Sequence, residues 1–171
     1  MLNKGFKIRK STIADFDGIK DILLCGKKFL KEIGSPQWQD IEAIQERAKK
    51  DIKDGFSYVV EKDDELVGTV ALVEGIEPTY DRIYDGHWLN DAPYVTIHRV
   101  ASNGKTSGIM NAVLKYAECR YDNIRIDTHE KNVVMRHILE KNGYTYCGQI
   151  IVADGTYRVA YQKIITPHLA R

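Results

Sequence analysis

Lys105-Thr106-Ser107-Gly108-Ile109-Met110, preceded by Gly104, joins an apolar alternating run at 94–100 to a run with helical periodicity, Ile109, Ala112, Val113, Tyr116 and Ala117. A glycine-bearing turn at a helix N-terminus offers free backbone N–H groups and the positive end of the dipole, which together hold a phosphate anion. Gly104-Lys105-Thr106 ends like the G-x-x-x-x-G-K-[ST] loop that wraps a nucleoside triphosphate, but the position where that loop needs its first glycine is Arg99. Half of the wrap is missing, so the turn points to a phosphate on another ligand, with a nucleotide-binding α/β domain as the minor alternative. A second chemistry is proton transfer. His98 lies in the strand leading into the turn, and His129 and Glu130 follow a later strand; an imidazole or a carboxylate in a cleft is a candidate base. The bland alternatives are a satisfied strand histidine for His98 and a partner of the helix dipole for Glu130.

The elements that must position these groups follow from periodicity. Residues 6–9 alternate as a short strand, and Thr12 with Asp15 forms a T-x-x-D start to a helix carrying Phe16, Ile19, Leu23 and Leu30 inward. Gly34-Ser35-Pro36 ends it. Asp40 caps a second helix with Ile41, Ile44, Ala48 and Ile52 on one face, closed by Asp54-Gly55. Strands at 56–60 and 66–73 meet across Lys62-Asp63-Asp64 as a hairpin. Residues 74–93 then form an insert, rich in acidic groups and carrying Tyr80, Tyr84 and Trp88, too long to be a mere connection. Beyond it come a strand (94–100), a helix (107–119), a strand (123–128) and a helix (131–141), an order that needs a right-handed crossover between parallel neighbours. Strands at 144–153 and 156–164 flank Asp154-Gly155 as a closing hairpin. The order is that of a mixed α/β (α+β) fold, and with no repeat or linker the 171 residues form one domain.

Composition excludes several classes of function. Lys plus Arg number 25 against 24 Asp plus Glu, a formal charge of +1, so no net basic field draws the chain to nucleic acid. No run approaches the ~18 apolar residues that span a bilayer. Three cysteines, Cys25, Cys119 and Cys147, without a secretory leader, read as buried reduced thiols in a soluble cytoplasmic protein. Nothing in the pattern calls for a metal.

The turn Lys105 to Met110 resembles the [RQ]-x-x-G-x-[GA] signature of the GNAT superfamily of acyl-CoA-dependent N-acyltransferases, with Gly108 as the exact match. Lysine stands in place of arginine or glutamine, methionine in place of the last small residue, and the turn is about two residues shorter than usual. The element order strengthens the likeness, as do Asn132 early in the next helix and Leu139-Glu140-Lys141-Asn142-Gly143-Tyr144, which is similar to the family's L-Y-E-K-x-G-F. Trp38-Gln39-Asp40, Ile97-His98-Arg99-Val100-Ala101 and Ile126-Asp127-Thr128-His129-Glu130-Lys131-Asn132 resemble segments of a bacterial branch. The resemblance implies a mostly antiparallel central sheet of six to seven strands flanked by about four helices.

It also implies acetyl-CoA as acyl donor. Gly104, Lys105, Thr106, Ser107, Gly108 and Ile109 would hold the pyrophosphate, with the pantetheine arm along the backbone of His98, Arg99 and Val100 where the fourth and fifth strands splay. Asn132 would contact the arm, or else simply cap its helix. An N–H of the strand edge would polarise the thioester carbonyl. The implied reaction is direct attack by a primary amine of a small molecule or peptide in a ternary complex, with His98, His129 and Glu130 as candidate bases. Leu139 stands where many members carry a tyrosine acid, which leaves solvent or Tyr144, Tyr146 or Tyr157 for the thiolate and keeps open a catalytically silent acyl-CoA-binding module. Trp38, Tyr80, Tyr84 and Trp88 would wall the acceptor pocket, with Asp81, Asp85 or Asp91 drawing in a cation. The alternative for these rings is an aromatic loop anchored on the core. The acceptor, the natural acyl group, and whether the chain works alone or as a homodimer are left open.

Overall fold

The computed structural model describes residues 5–166. Seven strands, β1 (Phe6–Lys10), β2 (Ser57–Lys62), β3 (Glu65–Glu74), β4 (Val95–Ser102), β5 (Asn123–Thr128), β6 (Thr145–Ile151) and β7 (Tyr157–Ile164), form one sheet in the order β1-β2-β3-β4-β5-β7-β6. Every neighbouring pair is antiparallel except β4 and β5. Four helices flank it: α1 (Phe16–Glu32), α2 (Ile41–Asp54), α3 (Ile109–Glu118) and α4 (Val133–Lys141). The expected α/β architecture is therefore present.

Local chemistry sets the helix ends. Asp15 Oδ2 accepts from Thr12 N at 2.7 Å, although the first turn, Ile13–Asp15, is 3-10 rather than α. Asp40 Oδ1 accepts from Ala43 N at 3.0 Å at the start of α2, and Gly55 ends that helix in the left-handed region. The apolar stripes of α3 and α4 cover one sheet face with Val60, Leu72, Ile97, Ile126 and Tyr161. Those of α1 and α2 cover part of the other, around Ile19, Leu23, Ala48, Val59 and Ala101. Of the three cysteines only Cys147 is buried; Cys25 and Cys119 are exposed, which corrects the expectation that all three are core thiols. Cys25 lies on the exposed side of α1, and Cys119 follows the last residue of α3 as its C-terminal cap.

Two irregularities shape the middle of the sheet. β4 and β5 pair only through Val95↔Ile124, Thr96↔Arg125 and Ile97↔Ile126, so the remainder of β4 runs on beside no parallel neighbour. On its other side His98 faces Ala71 and Ala101 faces Thr69, so Arg99 and Val100 together oppose Val70. This is a β-bulge, and Arg99 sits in it with φ 50°. An extra residue reverses the alternation: Val95, Ile97 and Val100 pack with α3 and α4, whereas Ala101 packs with α1 and α2. The strand thus continues two residues past the expected end at Val100.

The insert between β3 and β4 folds over the sheet's second face. Its Tyr80 packs with Ile150 and Ala160, and Trp88 and Tyr94 close over it. Tyr84 and Gln149 exchange two backbone hydrogen bonds of 2.8 Å, which straps the insert to β6. Gly86 permits that approach, because a Cβ there would lie 2.0 Å from the Cys147 carbonyl oxygen.

Candidate functional site

The bulge, the splay between β4 and β5, the α1–α2 connection and the closing hairpin enclose a cleft of about 1150 Å³. Trp38, Glu77, His98, Arg99, Val100, Asp127, Asn132 and Arg158 all line it. His98 Nε2 lies 2.8 Å from Glu77 Oε2, with the two side chains 20% and 16% exposed, so water screens the pair poorly. Glu77 is itself held: its Oε1 accepts from Thr79 N at 3.3 Å and Thr79 Oγ1 at 2.9 Å, and its N–H donates to Tyr94 Oη. The hydrogen bond from His98 outweighs burial and holds the Glu77 carboxyl down to about 2. A permanently charged carboxylate therefore orients the imidazole.

Arg99 turns its side chain away from the cleft. Its Nε and Nη2 donate to the Asp51 carboxylate at 2.5 and 2.8 Å, a bidentate pair that ties the bulge to α2. A side chain in the left-handed region costs about 1 kcal/mol, and this pair holds it there. Arg99 can therefore face a cofactor only through its backbone. Neither Arg99 nor Val100 has its own register partner on β3, and neither pairs with β5, which leaves this edge open to an extended ligand. At the end of the splay, Asn132 caps α4 by accepting from Met135 N at 3.1 Å, while its amide nitrogen has no partner among the described residues. Capping and facing the cleft are compatible in this one side chain.

The turn before α3 is built differently from the expectation. Asn103 Oδ1 accepts from both Lys105 N and Thr106 N at 3.0 Å, and Ser102 Oγ accepts from Gly104 N at 3.3 Å. Those three amides are committed inside the loop. Gly108 is the N-terminal residue preceding α3, with φ 87°, and no side chain among the described residues caps the N–H groups at the start of that helix. Ile109 and Met110 are buried in the main core, so Met110 does not fill the turn in place of the family's small residue.

Several expected site residues lie outside the cleft lining. Of the four rings read as an acceptor wall, only Trp38 reaches it; Tyr80 and Trp88 form the insert's own core, and Tyr84 packs edge-on to Tyr157 on the outer surface. The correction has a physical cause: Tyr80 Oη donates to Asp127 Oδ1 at 2.6 Å and Trp88 Nε1 to the Tyr80 carbonyl at 2.9 Å, which turns both rings inward. Burial and Asp127 push the Tyr80 phenol well up, so it stays protonated. His129 Nδ1 accepts from Lys131 N at 3.2 Å in the turn before α4, and burial pulls its imidazole down. Glu130 is exposed. Neither His129 nor Glu130 lines the cleft, and His98 does.

Glu77, Asp127 and Arg158 escaped the sequence reading. Arg158 had a visible signal, a charge on the β7 face shared with Ala160 and Gln162, both fully buried. Among the described residues no group of His, Cys, Asp and Glu is arranged to hold a metal, and no helix is long and apolar enough to cross a membrane.

A model of the acetyltransferase (GNAT) domain family matches residues 6–145. No curated protein sequence matches the chain. Among solved structures, a GNAT-family acetyltransferase from Streptococcus agalactiae 2603 is 34% identical, with a TM-score of 0.86 over 96% of this chain and 98% of that one. RimL, the ribosomal L7/L12 alpha-N-protein acetyltransferase solved with coenzyme A, is 16% identical with a TM-score of 0.64, over 96% and 97% of the two chains. A chimera of the spermidine N-acetyltransferase SpeG from Vibrio cholerae is likewise 16% identical, with a TM-score of 0.63 over 98% and 100%. At these identities the last two are likenesses of fold.

Proposed function

The chain belongs to the GNAT acetyltransferase family, and from that premise we propose that it transfers acetyl from acetyl-CoA to a primary amine by direct attack in a ternary complex. The observation that carries the reading is the His98–Glu77 pair, 2.8 Å apart beside the open edge of β4. When bound, acetyl-CoA supplies an activated acyl group as its thioester. In the proposal Val100 and its neighbours meet the pantetheine arm through their backbone, Asn132 donates to it, and the N–H groups at the start of α3 meet the pyrophosphate.

His98 donates its Nε2–H to Glu77, which leaves the Nδ1 lone pair to accept a proton as the amine attacks. Glu77 fixes that tautomer and stabilises the imidazolium. A backbone N–H of the bulge sits where negative charge develops on the acyl oxygen. Leu139 is fully buried, so α4 offers no proton at the position where relatives carry a tyrosine, and the thiolate is left to solvent. The acceptor is a small molecule or peptide amine, and the setting is cytoplasmic, in keeping with three cysteines that form no disulfide.

Leu139 also favours a second reading, a silent acyl-CoA-binding module. Following thiol release from acetyl-CoA across a panel of amines, alongside calorimetric binding of coenzyme A, separates the two. The enzyme reading expects amine-dependent release. Tight binding with no release by any amine would replace it with the module.

A further inference from the structure

Three arginines lie in or against the buried face of the sheet; two have a counter-ion or ring faces, though the Nε of one of these, Arg125, is itself buried without a hydrogen-bond partner among the described residues. Arg99 has Asp51. Arg125 lies between two ring faces, 4.2 Å from the Trp88 centroid and 4.1 Å from that of Tyr94, and donates to the Asn90 carbonyl. Arg158 has neither arrangement. It is 94% buried, being 6% exposed, and lines the cleft, yet it forms no ion pair and no ring contact among the described residues. Its Nη1 donates to Thr156 Oγ1 at 2.6 Å and to the Tyr157 carbonyl at 3.0 Å. Those bonds fix the side chain and leave Nε–H and the Nη2 hydrogens unused. That is the edge with which a guanidinium grips a carboxylate side-on, and the one that Arg99 presents to Asp51.

Two carboxylates act on Arg158 through space, Asp127 and Asp154, and both are engaged elsewhere. Asp127 takes the Tyr80 hydroxyl, and Asp154 accepts from Thr156 N and Oγ1. Burial is the dominant influence on the guanidinium and pulls its pKa down, as expected for a cation short of counter-charge. The sheet register places this unmet charge near the proposed base. Asp127 pairs with Ala160, and Arg158 is the next residue of β7 on that face, diagonal to Asp127. His98 lies one strand beyond Asp127 and its ring is 6.3 Å from that of Tyr80. Strand spacing and rise put the backbones of His98 and Arg158 at least about 12 Å apart, since β4 and β5 diverge beyond Ile97, and both residues line the one cleft, where a small molecule can meet both side chains.

We infer that Arg158 binds a carboxylate of the acceptor through Nε and Nη2, so that the substrate is a small amine bearing a carboxylate, held with its nitrogen toward His98. This rests on the amine-acceptor reading above and narrows it.

The test uses the full chain with free coenzyme A present and measures calorimetric binding of the proteinogenic amino acids, β-alanine and 4-aminobutyrate, each against its primary amide, with 2-aminoethyl phosphate and spermidine as further arms. At least one carboxylate form binds about 10–100-fold tighter than its amide, the span expected for a hydrogen-bonded charge. Arg158→Gln removes that preference, and Arg158→Lys, which keeps the charge without the fork, loses most of it; coenzyme A affinity serves as the control for folding. Equal binding of acid and amide, tighter binding of the phosphate or of spermidine, or a preference that survives in Arg158→Gln would overturn the assignment. Thiol release is read separately. Carboxylate-selective binding without release leaves the anion site standing and removes the enzyme reading, whereas release that ignores the carboxylate does the reverse.

Discussion

Arg99 and Arg158 stand on different strands that border the same cleft and do opposite things with the same guanidinium edge. Arg99 spends it on Asp51, 48 residues away in sequence, and so fixes a bulge in a conformation that a side chain adopts at a cost. Arg158 is anchored by its other nitrogen and keeps the edge free. A buried charge with its partner inside the protein is part of the frame, whereas one whose partner is missing marks where a ligand completes the structure.

The arginine that belongs to the frame is the more costly of the two to disturb. Asp51→Ala leaves Arg99 buried without a counter-ion and is expected to cost about 3–5 kcal/mol in denaturant unfolding. Arg158→Ala loses two hydrogen bonds but also a poorly compensated charge, and is expected to stay within about 1 kcal/mol of the parent. Comparable losses in the two variants would erase the distinction between frame and ligand arginine.

Acid titration sharpens the same division at the base. The Glu77 carboxyl is held from 4.5 down to about 2, so its contribution is fully present above about 4.5 and fades as pH falls through about 2. Of order 2 kcal/mol is at stake for so enclosed a pair. Glu77→Gln should flatten the acid limb of the stability curve, and an unchanged limb would mean the pair is not formed in solution.

At the coenzyme end, Gly108→Asp places a carboxylate in the left-handed residue before α3, where the proposed pyrophosphate meets free N–H groups. Coenzyme A binding should weaken by about tenfold or more, with melting lowered by only about 1 kcal/mol equivalent. Unchanged affinity would move the phosphate site elsewhere. The smallest expected effect is chemical. Cys25 and Cys119 should alkylate in the folded protein and Cys147 only after unfolding, since burial shields it and pushes its thiol up.

What could be read from the chain tracks how local the signal is. Helix caps at Thr12/Asp15 and Asp40, the crossover order and the closing hairpin all follow from neighbours within a few residues, and all are present. The alternation predicts an end for β4 at Val100, whereas the strand runs to Ser102, because a bulge at Arg99 and Val100 reverses the pattern while the strand continues. The working pairs are long-range: Glu77 with His98, Tyr80 with Asp127, Asp51 with Arg99. No spacing rule links such positions. For Tyr80 and Trp88 the sequence leaves a pocket wall and a core-anchored loop both open, because aromatic residues in a long acidic insert look the same whether they face a ligand or fold back under the loop; the second holds. Arg158 was the one legible omission, a charge in phase with a buried strand face.

If His98, oriented by Glu77, takes the proton from the attacking amine, losing its imidazole must slow the chemical step. Steady-state thiol release with His98→Ala, using the best acceptor from the amine panel, tests it most directly. The expected result is a fall in kcat of about 100-fold or more with coenzyme A affinity retained. A kcat within about twofold of the parent would contradict it.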